Sequence, residues 1–292
     1  MGLTGRSPFP IFPDMRTRDL KTGLLFQLCT LVMAFNGFAS HRVTVAGAKE
    51  SALALATIAL STPFSVFHNQ ALLTAARYPS VGISYRQPFL IKDYHETALS
   101  VVFPIPMAVL SLGLSQAAVE SYAESEIGIS MAKKLTENLS VGLLFNYFDL
   151  NLPETGRHLG SIQVDGGVGF KLSEKLSLGL HLRNIVSTKA ETDQNYLNFP
   201  RVARGGVAYF LSGRILLLAE TIYEKRAGCG FRYGAEIALL ENFCLRGGLA
   251  TNPFQHSFGF GYGWSFCQFD FSMVNHEILG FTPMVSFHFK FD

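Results

Sequence analysis

The sequence predicts an all-β protein, a transmembrane antiparallel β-barrel of about fourteen strands. Three observations predict it. Charged residues make up only 16% of 292, while aromatics reach 13%, with 26 Phe against one Trp. Beyond the N-terminus no stretch offers the ~18 unbroken apolar residues of a membrane helix. Apolar residues instead alternate with small or polar ones, segment after segment. In a bilayer every backbone polar group needs a partner, and the closed barrel is the alternating architecture that supplies one.

The N-terminus reads as an export signal over residues 1–39. Arg16, Arg18 and Lys21 form a basic region, Gly23 to Phe35 an apolar core, and Gly37-Phe38-Ala39 a small-residue cleavage zone. Met15 stands directly before the basic cluster and is a candidate true start. Past the signal, Cys229, Cys244 and Cys267 remain, an odd number whose spacing supports neither a disulfide framework nor a zinc site.

Residues 40–79 form a second region. Ala46 to Leu60 is rich in Ala and Leu without a period of two, and Ser61-Thr62-Pro63 ends it. At roughly fifteen residues it is too short to cross a bilayer as a helix and reads as a short helix or strand inside the barrel.

The barrel proper, residues 80–292, is predicted from alternation with period two. Phe287-His288-Phe289-Lys290-Phe291, Gln268-Phe269-Asp270-Phe271 and Phe258-Gly259-Phe260-Gly261-Tyr262 show it most plainly, and Leu176, Leu178, Leu180 and Leu182 repeat it. The predicted strands are 80–88, 95–103, 107–119, 122–133, 139–150, 161–172, 176–185, 201–210, 214–224, 230–239, 244–252, 256–264, 267–275 and 283–291. Each approximates the ~9–11 residues that cross a bilayer at a tilt. Short links follow the even-numbered strands, for example Thr136-Glu137-Asn138 and Ser173-Glu174-Lys175. Longer links mostly follow the odd ones, the longest being Val186 to Pro200. That parity is expected of tight periplasmic turns and longer external loops, and an even strand count puts both chain ends in the periplasm.

Alternation also assigns faces. Ile127, Ile129, Val164, Val168, Tyr233, Ile237, Leu249, Phe269, Phe271, Phe287 and Phe289 are predicted to face lipid. Glu126, Asp165, Lys171, His181, Arg183, Arg204, Glu220, Arg232, Glu236, Arg246, Asp270, His288 and Lys290 are predicted to face the lumen. A Lys or Arg on the lipid face would cost roughly 2–4 kcal/mol near the midplane. Both signs occur on neighbouring strands and can pair, which favours a narrowed or plugged interior.

No catalytic, metal or cofactor site is predicted, and the chain reads as a non-enzyme. The histidines form no helical i, i+4 pair and no dense Cys/His cluster. His256-Ser257 and Ser286 near His288 lack an orienting third group and a nucleophile elbow. A net charge of +2 gives no field suited to nucleic acid. The expected partners are the lipid bilayer and, during insertion, the barrel-assembly machinery.

Ala46-Gly47-Ala48-Lys49-Glu50-Ser51-Ala52, then Asn69-Gln70-Ala71-Leu72-Leu73, then Val81-Gly82-Ile83-Ser84-Tyr85 resemble the opening motifs of the PorV/PorQ group of Bacteroidetes outer-membrane proteins, distant relatives of the FadL fatty-acid transporters. Gln70 stands where that box usually has proline. The resemblance implies a fourteen-stranded barrel in a Gram-negative outer membrane, with residues 40–79 folded into the lumen as a hatch. It also implies a choice of functions. A PorV/PorQ-like role would be association with type IX protein secretion, using the Val186 to Pro200 loop with Tyr196 and Phe199 as apolar anchors. A FadL-like role would be passive uptake of hydrophobic small molecules through a pocket beside the hatch, with Phe64 and Phe67 as its lining. A structural barrel is the third option. The heavily charged lumen tilts the sequence reading towards secretion.

Overall fold

Alternation builds the wall. The computed structural model describes residues 44–119, 122–152, 157–188, 190–191, 196–197, 199–225 and 227–291. The predicted signal at 1–39 lies outside the described residues. The strands are β1 (Ser80–Arg86), β2 (Tyr94–Ile105), β3 (Ala108–Val119), β4 (Tyr122–Lys134), β5 (Leu139–Leu152), β6 (Arg157–Lys171), β7 (Leu176–Ser187), β8 (Ala190–Glu191), β9 (Tyr196–Leu197), β10 (Val202–Ser212), β11 (Ile215–Glu224), β12 (Gly228–Leu240), β13 (Phe243–Thr251), β14 (Phe254–Gly263), β15 (Cys267–His276) and β16 (Gly280–Lys290). Apart from β8 and β9, which pair only with each other, they form one closed barrel of fourteen antiparallel strands. The barrel is sealed where β1 pairs with β16, from Ser80 opposite Lys290 to Arg86 opposite Met284. The fourteen predicted segments match these strands to within about four residues at each end, the usual uncertainty of boundaries read from sequence.

Burial is inverted relative to a soluble protein, where charged side chains are mostly exposed and large aliphatic ones buried. Ile129, Phe145 and Leu180 are 62%, 57% and 59% exposed, whereas Asp165, Arg204 and Glu220 are 3%, 5% and 3% exposed. The outer wall carries an aromatic ladder across neighbouring strands. Phe260 stacks towards Phe271 with ring centroids 5.5 Å apart, Phe269 towards Phe287 at 5.1 Å, and Phe287 towards Phe289 at 6.4 Å. Every residue predicted to face lipid lies on this outer face, exposed or half-buried.

Both chain ends of the wall emerge at one end, here the base, where the Phe291 amide donates to the Pro79 carbonyl at 3.0 Å. The opposite end is the mouth. The predicted parity of links holds only in part. Long connections at the mouth are 87–93 and 188–201, the second holding the β8–β9 ladder, but 225–227, 252–253 and 277–279 are as short as the turns at the base. The strands themselves carry the height: β4 to β6 run 13 to 15 residues, whereas β13 to β15 run 9 or 10. Extended ladder pairing, which satisfies backbone groups, replaces loop length on the taller side.

The described chain before β1 fills the lumen. From Thr44 near the mouth it forms helix α1 (Ala48–Ala52), then turns and two short 3-10 segments, Ser65–Phe67 and Gln70–Ala75, before joining β1 at the base. Gly47 starts α1 at φ 89, a left-handed conformation that a side chain would disfavour. Leu53, Ile58, Val66 and Leu73 are essentially inaccessible. Leu53 clusters with Ala208, Leu216 and Leu218 of the inner wall, Val66 and Leu73 with Val102, Val109 and Leu144, and Ile58 lies against Gly179 and Gly206.

Candidate functional site

The lumen is a wall of small residues onto which the inner chain is pressed. An added Cβ on Gly142 would lie 2.6 Å from the Ala71 nitrogen, on Gly167 2.2 Å from Asn69 Oδ1, on Gly179 1.9 Å from the Ile58 oxygen, and on Gly248 2.6 Å from the Ala54 nitrogen. Gly82 and Gly113 face the rings of Phe64 and Phe67 in the same way. Glycines that the sequence shows only as the non-aromatic half of an alternation are therefore seats for a second layer of chain. No local signal in the sequence distinguishes a glycine facing water from one facing backbone.

The motif Asn69 to Leu73 forms the lower seat. Asn69 Nδ2 donates to the Ile58 carbonyl at 2.8 Å and to the Val168 carbonyl of β6 at 3.1 Å, while its Oδ1 accepts from the Ala71 amide at 3.2 Å and caps the 3-10 segment. Gln70 Nε2 donates to the Val66 carbonyl at 3.0 Å. Leu73 belongs to the core against β2, β3 and β5, and Leu72 covers Gly169.

Predicted lumen charges come together as ion pairs, some on adjacent strands, one spanning an intervening strand and one across the lumen, with the inner chain as third partner. Arg204 Nε meets Glu220 Oε1 at 2.7 Å, and Arg232 reaches the same oxygen at 3.4 Å. The other Glu220 oxygen accepts the Ile58 amide at 3.2 Å, and Arg204 donates to the Leu55 carbonyl at 3.0 Å. Arg246 bridges Glu236 at 2.5 Å and Asp270 at 2.6 Å, and Lys49 of α1 closes that group on Glu236 at 3.0 Å. Nearer the mouth Arg183 pairs with Glu126 at 3.3 Å, and Thr44 Oγ1 donates to Glu126 at 2.7 Å. Asp165 accepts the Asn184 amide at 2.8 Å. Asn184 has φ 56 and sits at a register shift between β6 and β7, so that Arg183 and Asn184 both turn inward. Breaking any of these buried pairs leaves an uncompensated charge, typically a cost of about 3–5 kcal/mol.

Four predicted lumen residues stand apart from these clusters. His181 and His288 are buried on the inner wall, neither ring nitrogen of His181 having a hydrogen-bond partner among the described residues. Lys171 and Lys290 share the inward parity of their strands but lie at the base rim, Lys171 exposed, so they do not line the interior. Sequence reasoning missed Lys49 and Glu50 of the inner chain, and the mouth pair Arg86–Glu96 at 2.8 Å. Glu50 is 1% exposed with no well-aligned partner among the described residues. Burial pushes its pKa from 4.5 up to about 7, against the Thr62 hydroxyl beside it, which favours the charged form. Burial also holds His68 down, to about 3, so it stays neutral, its Nε2–H donating to the Ala46 carbonyl at 3.0 Å.

At the mouth a cleft opens between β2 to β7, β10 and the inner chain, lined by Glu96, Glu124, Glu126, Gln163, Arg183 and Asn184 on one side and Phe148 and Phe199 on the other. The two rings meet edge to face with centroids 4.9 Å apart. The space for water centres is about 40 Å³, room for about three waters. Phe199 thus anchors its loop inward on Phe148; the Tyr196 side chain lies outside the described residues. Phe64 and Phe67, expected to line an apolar pocket, instead pack against Ala46, Ala98, Gly82 and Gly113. The glycine wall lets those rings fill the space a pocket would need. Among the described residues no group of three or more His, Cys, Asp and Glu could hold a metal ion.

No family model matches the chain, and no curated protein matches it. Solved structures do. The chain is similar to the CymD monoaromatic hydrocarbon channel at 15% identity and TM-score 0.62, over 87% of this chain and 99% of that one. It resembles the Pseudomonas putida toluene transporter TodX at 13% identity and TM-score 0.62, covering 84% and 98%. A Pseudomonas aeruginosa FadL homologue matches at 12% identity and TM-score 0.63, covering 87% and 100%. At such identities the likeness establishes a common fold.

Proposed function

We propose that this protein is a plugged outer-membrane channel for small hydrophobic or amphipathic molecules, with residues 44–79 as its hatch and the mouth cleft as the point of reception. The observation that carries this reading is the seating of the inner chain. It occupies a closed fourteen-strand wall, pressed on inward glycines and held by paired charges rather than by covalent links. A lumen filled in that way suits stepwise passage of small solutes and not a wide water-filled pore. Pairing also answers the objection raised by lumen charge. Arg204, Glu220, Arg246 and Asp270 neutralise one another, so an apolar solute would not meet isolated charges. The neighbours described as a hydrocarbon channel and a toluene transporter share the architecture and support the same class of solute.

The secretion-associated reading rests on the motif resemblance and on the lumen charge, which pairing neutralises, and the comparisons add nothing to it. The test is to delete the gene and measure uptake of a labelled small aromatic alongside the secreted proteome. Loss of uptake, restored by the wild-type chain and weakened by Phe199→Ala, is the expected result. Normal uptake with a depleted set of secreted proteins would replace this reading with the secretion one.

A further inference from the structure

The mouth of the barrel is uneven in chemistry as well as in height. On β5 the outward file runs Val141, Leu143, Phe145 and Tyr147 and then turns polar with Asp149 and Asn151, so this wall rises out of the apolar belt before it ends. On β16 the outward file is Phe281, Pro283, Val285, Phe287 and Phe289, apolar up to the tip. From Phe281 to Phe291 the strand covers roughly 33 Å of chain, about 25 Å in height at the usual tilt, which is the height of the apolar band itself. The rim on this side therefore ends level with the edge of the belt.

What caps that rim is oily. The turn between β15 and β16 exposes Ile278 and Leu279 at 86% and 53%, Phe281 follows at 48%, and Phe254 of β14 stands beside them at 52%. The 87–93 loop adds Leu90 and Ile91 at 56% and 47%. It is fastened to the same strand, since the Gln87 amide donates to the Pro283 carbonyl at 3.1 Å and the Phe89 amide to Thr282 Oγ1 at 2.9 Å. Phe89 and Leu90 sit at φ 54 and 56, consecutive bulky residues in a conformation that costs them energy. The bend holds the Phe89 ring edge-on to His276, centroids 6.1 Å apart, and turns Leu90 and Ile91 outward. Aliphatic side chains displayed together beside an apolar turn mark an interaction surface.

We propose that this low rim, made by Leu90, Ile91, Phe254, Ile278, Leu279 and Phe281, docks into the outer leaflet of the membrane at the boundary of headgroups and acyl chains. The partner is the lipid surface rather than a protein because Phe281, Leu279 and Ile278 continue the lipid-facing file of β16, while the exposed charges of the same segments, Lys92, Asp93 and Glu277, stand at its upper edge, as headgroup contact requires. This goes beyond the channel reading and does not depend on it: a barrel of any function would have its mouth tipped towards the bilayer on the β14–β16–β1 side.

The test uses the full chain with its four cysteines replaced (Cys29→Ser, Cys229→Ser, Cys244→Ala and Cys267→Ser), one cysteine introduced at Ile278→Cys or Ile91→Cys, and an environment-sensitive fluorophore on it. The protein is reconstituted into vesicles whose lipids carry a quencher high on the acyl chain. Lys225→Cys, in the polar turn after β11, is the control, and a faster unboiled gel band verifies that each variant folds. At 278 and 91 the lipid-borne quencher is expected to act severalfold more strongly than aqueous iodide, with the order reversed at 225. Stronger iodide quenching at 278 and 91 overturns the proposal. So does protection from both quenchers that disappears on dilution, which would mark a second copy on the patch.

Discussion

Gly142→Ala tests whether the hatch is pressed on the wall. Its Cβ would lie 2.6 Å from the Ala71 nitrogen and 2.7 Å from the Gln70 carbonyl carbon, and both obstacles are backbone. Reaching an ordinary contact near 3.5 Å requires the hatch to retreat by about 1 Å. Overpacking of this kind costs about 1–3 kcal/mol. Gly179→Ala is harsher, because its Cβ would lie 1.9 Å from the Ile58 oxygen that accepts the Asn69 bond. It is expected to exceed Gly142→Ala and to release the Asn69 anchor. Gly247 faces outward, with its Cβ 3.8 Å from the nearest heavy atom, so Gly247→Ala serves as control. There only the lower chain entropy of alanine acts, a gain of about 0.4–1 kcal/mol. The assay is the fraction of fast-migrating unboiled protein against urea, read with protease cleavage inside residues 44–79. Equal midpoints and equal cleavage for Gly142→Ala and Gly247→Ala would refute the seating of the hatch on glycine.

Glu50 makes the hatch sensitive to pH. Its folded pKa near 7 lies above the ordinary 4.5, so the folded state binds the proton more tightly. Stability from this group is complete below about pH 4.5, falls as pH rises, and is lost above about pH 7 by about 3 kcal/mol. Glu50→Gln should abolish that decline, measured as protease sensitivity of the hatch from pH 5 to 8; an unchanged slope would point to another group. Arg246→Ala takes the cation from Asp270 and leaves Glu236 to Lys49 alone, and should cost about 3–5 kcal/mol in the urea assay, with Arg246→Lys recovering part of it. Phe199→Ala opens the Phe148 side of the mouth cleft and should alter uptake of a small aromatic while leaving the urea midpoint within about 1 kcal/mol, as expected of a half-buried loop residue.

The wall could be read residue by residue because a strand exposes its two faces in strict alternation. Phe269 and Phe287 against Asp270 and His288 already state which side meets lipid. What lay beyond reach depends on closure of the sheet. Glu126 and Arg183 are 57 residues apart and meet only because the barrel sets their strands facing one cleft. The Lys49–Glu236 bridge spans 187 residues in the same way. Gly142 and Gly167 look like spacers until the second layer of chain is in place. Aromatic residues near a lumen suggest a pocket, but wall glycines absorb the rings of Phe64 and Phe67. The link-length parity failed on the β11 to β16 side, where 225–227, 252–253 and 277–279 are as short as the base turns, because alternation within a strand does not fix the length of the link that follows it.

The strand that seals the cylinder, β1, has seven residues and follows directly on the hatch. Whatever brings Ser80 alongside Lys290 must therefore bring the preceding forty or so residues to the same place at the same time. Zipping the last pair of strands and loading the cargo of the cylinder become one event in biogenesis, so a chain whose interior piece cannot find its berth should stall with its first and last strands unjoined.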